Sequence, residues 1–206
     1  MTTSRDHWNA IFSKKADTEL GWYEKDVSQT IKFLDRIPQD APAWIFLPGA
    51  GTSILVDELL ARGHNLILND ISDDALNKLK DRIGSNGKVT WLHHDISKPL
   101  PADIPPVDIW IDRAVLHFLL NEQDIQGYFT NLRSAIKPGG WALLAEFSTA
   151  GAQKCAGLEV HRYSIEEINR RMGQRFELRD HEEYVYINPF GDSRPYVYTL
   201  YKKHDG

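Results

Sequence analysis

Hydrophobic positions along the chain follow two rhythms. From Ser4 to about Lys15, Trp8, Ile11 and Phe12 stand at i, i+3 and i+4, which predicts a short amphipathic helix. A second helix is expected from near Asp26, with Val27, Ile31 and Leu34 on one face and Pro38 as its limit. Then five compact apolar runs appear: AWIFL (43–47), NLILN (65–69), VTWLH (89–93), VDIWI (107–111) and WALLAEF (141–147). Each is nearly continuous rather than alternating, as parallel strands buried on both faces should be. Helical patterns separate them. One runs from Ser53 to Gly63 with Ile54, Leu55, Leu59 and Leu60 on one side. Another starts at a Ser72 cap and places Ala75, Leu76, Leu79 and Ile83 at helical spacing. A third runs from Asn121 into Lys137 and stops at Pro138-Gly139-Gly140. This alternation predicts an α/β, doubly wound sheet.

The last quarter changes character. A loop of small and polar residues, 148–164, precedes a short helix from Ser164 to Met172. Two longer, partly alternating strands follow at 175–187 and 194–203, separated by a turn-rich link; they read as an antiparallel hairpin that closes a seven-stranded sheet. With no repeat, low-complexity tract or linker, residues 1–206 are expected to form a single domain: a helical lid over 1–40 and a Rossmann-like core over 41–206.

Composition narrows the classes. A 206-residue chain with 42% hydrophobic and 26% charged residues is long enough for one substantial core. Its net charge of −5 gives no reason to expect nucleic-acid binding. The one cysteine, Cys155, excludes an internal disulfide and a multi-thiolate zinc site. The polar N-terminal residues resemble neither a signal peptide nor a membrane anchor, so a cytoplasmic protein without membrane association is the expectation.

The chemistry begins at the end of the first strand, where Pro48-Gly49-Ala50-Gly51-Thr52-Ser53 forms a glycine turn before a helix. At the end of the second strand stands Asp70, placed to accept both hydroxyls of a ribose, or, with the glycines a mere turn, to cap the helix at Ser72; Asp95-Ile96 ends the third strand, either beside an adenine edge or as a loop or cap residue. A dinucleotide loop would need a third glycine at position 54, which is Ile54, and a cofactor without a pyrophosphate has no such need. With these residues, and with IKPGGWALLAEF and the closing hairpin, Trp44 to Lys202 resembles a class I S-adenosylmethionine-dependent methyltransferase. GWYEKDVSQTIKFL is similar to a segment of protein-lysine methyltransferases. DRAVLHFL and KCAGLEVHRYS resemble a bacterial methyltransferase group of unassigned substrate, and the first strand and its loop resemble thiopurine methyltransferases more weakly. The resemblance implies S-adenosyl-L-methionine as cofactor, held by Trp22, Leu47, Pro48, Gly49, Ala50, Gly51, Asp70, Ile71, Asp95, Ile96 and Asp112.

Methyl transfer asks mainly that a nucleophile be held in line, and deprotonated if it is an amine or thiol. Three candidates for that work follow the fourth strand: Asp112, Arg113 and His117. Asp112 can accept from an amine, Arg113 can hold a carboxylate, and His117 can act as a base; alternatively Asp112 and Arg113 form a structural pair and His117 is packed. Trp22 and Tyr23 anchor the lid, contact the cofactor, or do both. Arg162 and Tyr163 either meet an acidic substrate or lead into the helix capped by Ser164. Adjacent His93 and His94 point to opposite faces of a strand, so no metal is expected. The acceptor is read as a protein lysine or a small molecule. An NAD-dependent oxidoreductase and a non-catalytic cofactor-binding protein are the alternatives.

Overall fold

The computed structural model describes residues 4–205. The five expected runs form β1 (Trp44–Leu47), β2 (Asn65–Asp70), β3 (Val89–His93), β4 (Val107–Arg113) and β5 (Ile136–Phe147). A two-stranded ribbon, β6 (Lys154–Cys155) with β7 (Leu158–Glu159), lies in the long loop, and β8 (Phe176–Ile187) and β9 (Ser193–Lys203) form the hairpin. The main sheet has the order β3-β2-β1-β4-β5-β9-β8, parallel through β5, with β9 antiparallel to both of its neighbours. Six helices accompany it: α1 (Ser4–Lys14), α2 (Ser28–Leu34), α3 (Leu55–Ala61), α4 (Asp73–Ile83), α5 (Glu122–Ala135) and α6 (Ile165–Met172). The fold is therefore α/β and Rossmann-like, with seven strands and a closing antiparallel pair.

The continuous apolar runs have a direct cause. Ile45, Leu47, Leu66, Leu68, Ile109 and Ile111 face one side of the sheet and pack with Phe33 of α2 and Val56 and Leu59 of α3. The intervening Phe46, Ile67 and Trp110 face the other side, against Tyr128, Phe129 and Leu132 of α5 and Ile168 and Met172 of α6. Neither face of these strands meets water, so neither can be polar. At the centre Trp110 stacks on Phe46 with centroids 4.3 Å apart, and its indole N–H donates to the Tyr128 hydroxyl at 3.0 Å.

Three boundaries differ from expectation. The second helix starts at Ser28, because the Asp26 carboxylate accepts the Ser28 amide at 2.8 Å and forms a turn first. The third starts at Leu55, because Arg82 of α4 takes the carbonyls of Thr52 and Ser53 at 2.6 and 2.7 Å and keeps the loop open. The fifth helix ends at Ala135 and passes straight into β5. Pro138-Gly139-Gly140 is a bulge within that strand, not a turn before it: Val107 pairs with Ile136 and Ile109 with Trp141, so 137–140 bow out opposite Asp108. A Cβ on Gly140 would lie 2.7 Å from the Asp108 carbonyl oxygen, which explains a glycine there.

The N-terminal segment and the rest of the chain are tied together by named contacts. Asn9 of α1 accepts the Ser72 hydroxyl at 2.6 Å, Arg5 pairs with Asp73, and Lys78 donates to the Lys15 carbonyl at 2.9 Å. The Tyr186 hydroxyl of β8 donates to the Tyr23 carbonyl.

Candidate active site

With β1 flanked by β2 on one side and β4 on the other, the sheet order reverses at β1, and a crevice opens beyond the carboxyl ends of these strands. A cleft of about 410 Å³ lies there. Its floor begins with the glycine loop. Gly49 and Gly51 have φ of 51° and 52°, a left-handed conformation that glycine adopts without strain. The Ala50 amide donates to the Asn69 carbonyl at 2.8 Å and the Gly51 amide to Asp70 Oδ2 at 2.9 Å, so the loop is fastened to the end of β2.

Asp70 also accepts the Ser72 amide on Oδ1 at 2.8 Å. Burial pushes its carboxyl up to about 6, against the pull of the Ser72, Gly51 and Ile71 amides and of His93. Asn69 donates to the Leu92 and His94 carbonyls at 3.1 and 2.8 Å, which sets the end of β3 beside that of β2. There Asp95 accepts both the amide and the hydroxyl of Ser97, at 2.9 and 2.7 Å. Asn131 of α5 donates to the carbonyls of Ile96 and Lys98 at 2.8 and 2.7 Å and holds the segment from below.

Across the cleft, β4 ends in Arg113. Its Nη1 donates to the Trp22 carbonyl at 3.0 Å and its Nε lies 2.9 Å from Glu24 Oε1. The rings of Tyr186 and Tyr196 stand 4.9 and 5.2 Å from the guanidinium carbon. Burial raises the Glu24 carboxyl above the usual range, with Arg113 opposing and Asp26 adding to the rise. The roof is aromatic. Trp8 meets Phe118 and Trp22 edge to face at 4.8 and 5.6 Å, and Phe12 meets Trp22 at 6.1 Å.

Trp22, Leu47, Pro48, Gly49, Ala50, Gly51, Asp70, Ile71, Asp95, Ile96 and Arg113 all line this cleft, as does Tyr23. Asp112 and His117 do not, and this corrects the expectation that they face the reactants. Asp112 shares with Trp110 the sheet face toward α5, opposite Arg113, so its carboxylate faces inward and accepts the Val115 and Leu116 amides and the Tyr128 hydroxyl, at 3.1, 3.2 and 2.6 Å. His117 is buried between Phe118 and Phe147, with centroids at 4.5 and 4.6 Å, and burial drives its imidazole down to about 3. A neutral, enclosed imidazole does not take a proton from an acceptor in the cleft. Arg162 donates to the Thr149 carbonyl at 2.9 Å and Tyr163 is buried; both lie outside the cleft lining. Burial pushes the Cys155 thiol up to about 11.

Sequence reasoning missed Glu24, Trp8, Phe12 and Phe118 in the cleft wall. The i, i+3, i+4 stripe of α1 marked Trp8 and Phe12 as inward-facing, although not toward a ligand. Glu24 carried no such signal, since its partner Arg113 is remote in sequence.

The cleft suits the cofactor expected for this fold: a buried carboxylate beside a glycine loop, an apolar roof, and no phosphate cradle to fill. Residues 48–142 match the family described as a methyltransferase domain. The chain is 32% identical over 140 residues to malonyl-[acyl-carrier protein] O-methyltransferase 2 of Ilyobacter polytropus, covering 67% of this chain and 48% of that protein. It is 25% identical over 148 residues to malonyl-[acyl-carrier protein] O-methyltransferase of Prosthecochloris aestuarii, covering 68% and 53%. The chain thus spans about half the length of the curated relatives it matches. The crystal structure of the N-methyltransferase NodS from Bradyrhizobium japonicum, in complex with S-adenosyl-L-homocysteine, shares its fold with a TM-score of 0.71 at 12% identity, over 96% of this chain and 99% of that one. Residues 48–142 thus carry the methyltransferase-domain match, and the chain has the fold of S-adenosylmethionine-dependent methyltransferases of known structure.

Proposed function

We propose that this chain methylates a small acceptor, free or carried as a thioester, at an anionic oxygen such as a carboxylate. The cofactor's ribose would be held by Asp70 and its adenine end by Asp95 and Ile96. Its methionine end would lie over Gly49–Gly51 and toward β4. The cofactor supplies an already activated methyl group; the chain's part is to exclude water and align the nucleophile.

The single observation that carries the acceptor class is the ionisable lining near β4. It consists of Arg113 and Glu24 beneath aromatic rings, with Asp112 and His117 turned away. Arg113 lines the cleft as a cation fixed by the Trp22 carbonyl and Glu24, and its charge favours an anionic acceptor. A carboxylate is deprotonated at neutral pH and needs no base, whereas an amine does. The malonyl-thioester acceptor in the names of both curated relatives is an acid of this kind. Glu24 is the one carboxylate near Arg113 that could serve an amine, which makes a lysine acceptor the contrasting reading.

The test uses S-adenosylmethionine labelled in its methyl group with malonyl thioesters, free dicarboxylic acids, amines and a cell lysate. Methyl esters release the label as methanol in mild alkali, and this release is the expected result. Alkali-stable label confined to the protein fraction would instead establish lysine methylation and refute the proposal. Arg113→Ala is expected to raise the acceptor KM by about tenfold or more, the loss of one charge-assisted contact.

A further inference from the structure

Behind the cleft wall lies a group of buried polar side chains that do not line the cleft. The turn after β4 explains what they do. Ala114 is held in a left-handed conformation unusual for a residue with a Cβ, at φ 68°. Three amides that follow it end on two carboxylates: Val115 and Leu116 on Asp112, at 3.1 and 3.2 Å, and His117 on Glu146 Oε2, at 3.1 Å. His117 Nδ1 lies 2.8 Å from the same Glu146 oxygen, and the His117 carbonyl accepts the His161 amide at 2.8 Å.

The opposite side of the turn faces the cleft. A Cβ on Gly49 would stand 2.4 Å from Val115 Cγ2, so Val115 fills the space directly over the glycine loop. Phe118 carries the edge-to-face contact with Trp8 of the roof. Glu146 therefore grips from behind the segment that the loop and the roof contact from the front.

We propose that Glu146 is a positioning residue for this methyltransferase: through the His117 amide it fixes the Arg113–Phe118 turn against the glycine loop and the roof, and so sets cofactor affinity. The groups facing it are Asp112 and Arg113 from β4, His117 from the turn, Tyr128 from α5 and Tyr163 before α6. Burial pushes Glu146 up to about 8, while burial and the neighbouring Glu146 push Asp112 well above the carboxylate range. At neutral pH Glu146 is thus mostly the protonated acid, of which glutamine is a close copy in shape and charge. Above about pH 8 it ionises within an enclosed site that disfavours charge, and the turn loosens.

The experiment measures S-adenosylhomocysteine binding by titration calorimetry for wild type, Glu146→Gln and Glu146→Ala at pH 7 and 9, with circular dichroism confirming folding at the assay temperature. The expected wild-type affinity falls by about threefold or more at pH 9, and Glu146→Gln binds like wild type at pH 7 without the alkaline loss. Glu146→Ala is expected to bind about tenfold more weakly while folded. Folded Glu146→Ala with wild-type affinity would overturn the proposal, as would Glu146→Gln with the same alkaline loss as wild type. If Glu146→Ala does not fold, the glutamine variant and its pH dependence decide alone. A wild type that binds no S-adenosylhomocysteine would overturn the cofactor assignment, and this proposal with it.

Discussion

Asp70 offers a test in which protonation and cofactor binding must move together. Its carboxyl sits at about 6 because it is buried, even though two amides donate to it at 2.9 and 2.8 Å. The ionised form can accept both hydroxyls of a ribose, whereas the protonated form has lost an acceptor and must donate one hydrogen of its own. Binding therefore favours the ionised form and is weakened by acid. With a value of about 6, roughly nine-tenths of Asp70 is ionised at pH 7 and about one-tenth at pH 5. If only the carboxylate binds, affinity falls about tenfold between those two points, or about 1.4 kcal/mol. Titration calorimetry with S-adenosylhomocysteine across pH 5 to 8 reads this directly. Repeating pH 6 in buffers of different ionisation enthalpy should show about half a proton released per ligand bound. Asp70→Asn is expected to bind more weakly at every pH and to lose the acid slope. His94, which also lines the cleft, provides the control: His94→Gln should keep it. A wild-type affinity that is flat from pH 5 to 7, or a slope that survives in Asp70→Asn, would refute the reasoning.

Two further outcomes follow from close contacts. Replacing a mid-helix glycine by alanine ordinarily stabilises a protein by about 1 kcal/mol. In α5, however, a Cβ on Gly127 would stand 2.0 Å from the Ser97 carbonyl oxygen. Gly127→Ala should instead lower stability by about 2 kcal/mol in urea denaturation, and a gain would show that the helix and the 95–98 segment do not meet this closely. Asn9→Ala removes the acceptor of the Ser72 hydroxyl, a contact of 2.6 Å between α1 and the α4 cap. Hydrogen exchange over residues 4–14 should quicken by about tenfold or less, for a bond worth about 1 kcal/mol; unchanged protection would mean that α1 is held by its apolar face alone.

The parts of this molecule that could be read in the sequence are those whose causes are local. Strands buried on both faces must be apolar throughout, so AWIFL, NLILN, VDIWI and WALLAEF marked the parallel sheet directly, whereas VTWLH forms its half-buried edge. The glycine loop and Asp70 were legible because a tight turn and a strand-end acid need particular residues at particular places. Asp112 and Arg113 are neighbours on a strand and so face opposite ways, which leaves only Arg113 to the cleft. His117 lies beyond left-handed Ala114, and alanine gives no warning of such a turn. Pro138-Gly139-Gly140 was taken for a terminator on its composition, yet its role as a bulge depends on Asp108, a residue of another strand. Glu24 and Glu146 were silent for the same reason, since each gains its meaning from a partner that only the tertiary fold brings near.

The position of β9 has a consequence for how the chain is made. It is the last strand of the sheet in sequence, yet it lies inside the sheet, between β5 and β8. During synthesis, β5 must stand with an unpaired edge along Trp141–Phe147 until Ser193–Lys203 emerges, and β8, though already made, has nothing to join. At ordinary translation speeds that interval lasts on the order of several seconds. An apolar strand edge exposed for so long invites pairing with other nascent chains. Slow codons or chaperone shortage over this interval should therefore cost soluble yield more than the same burden placed before β1.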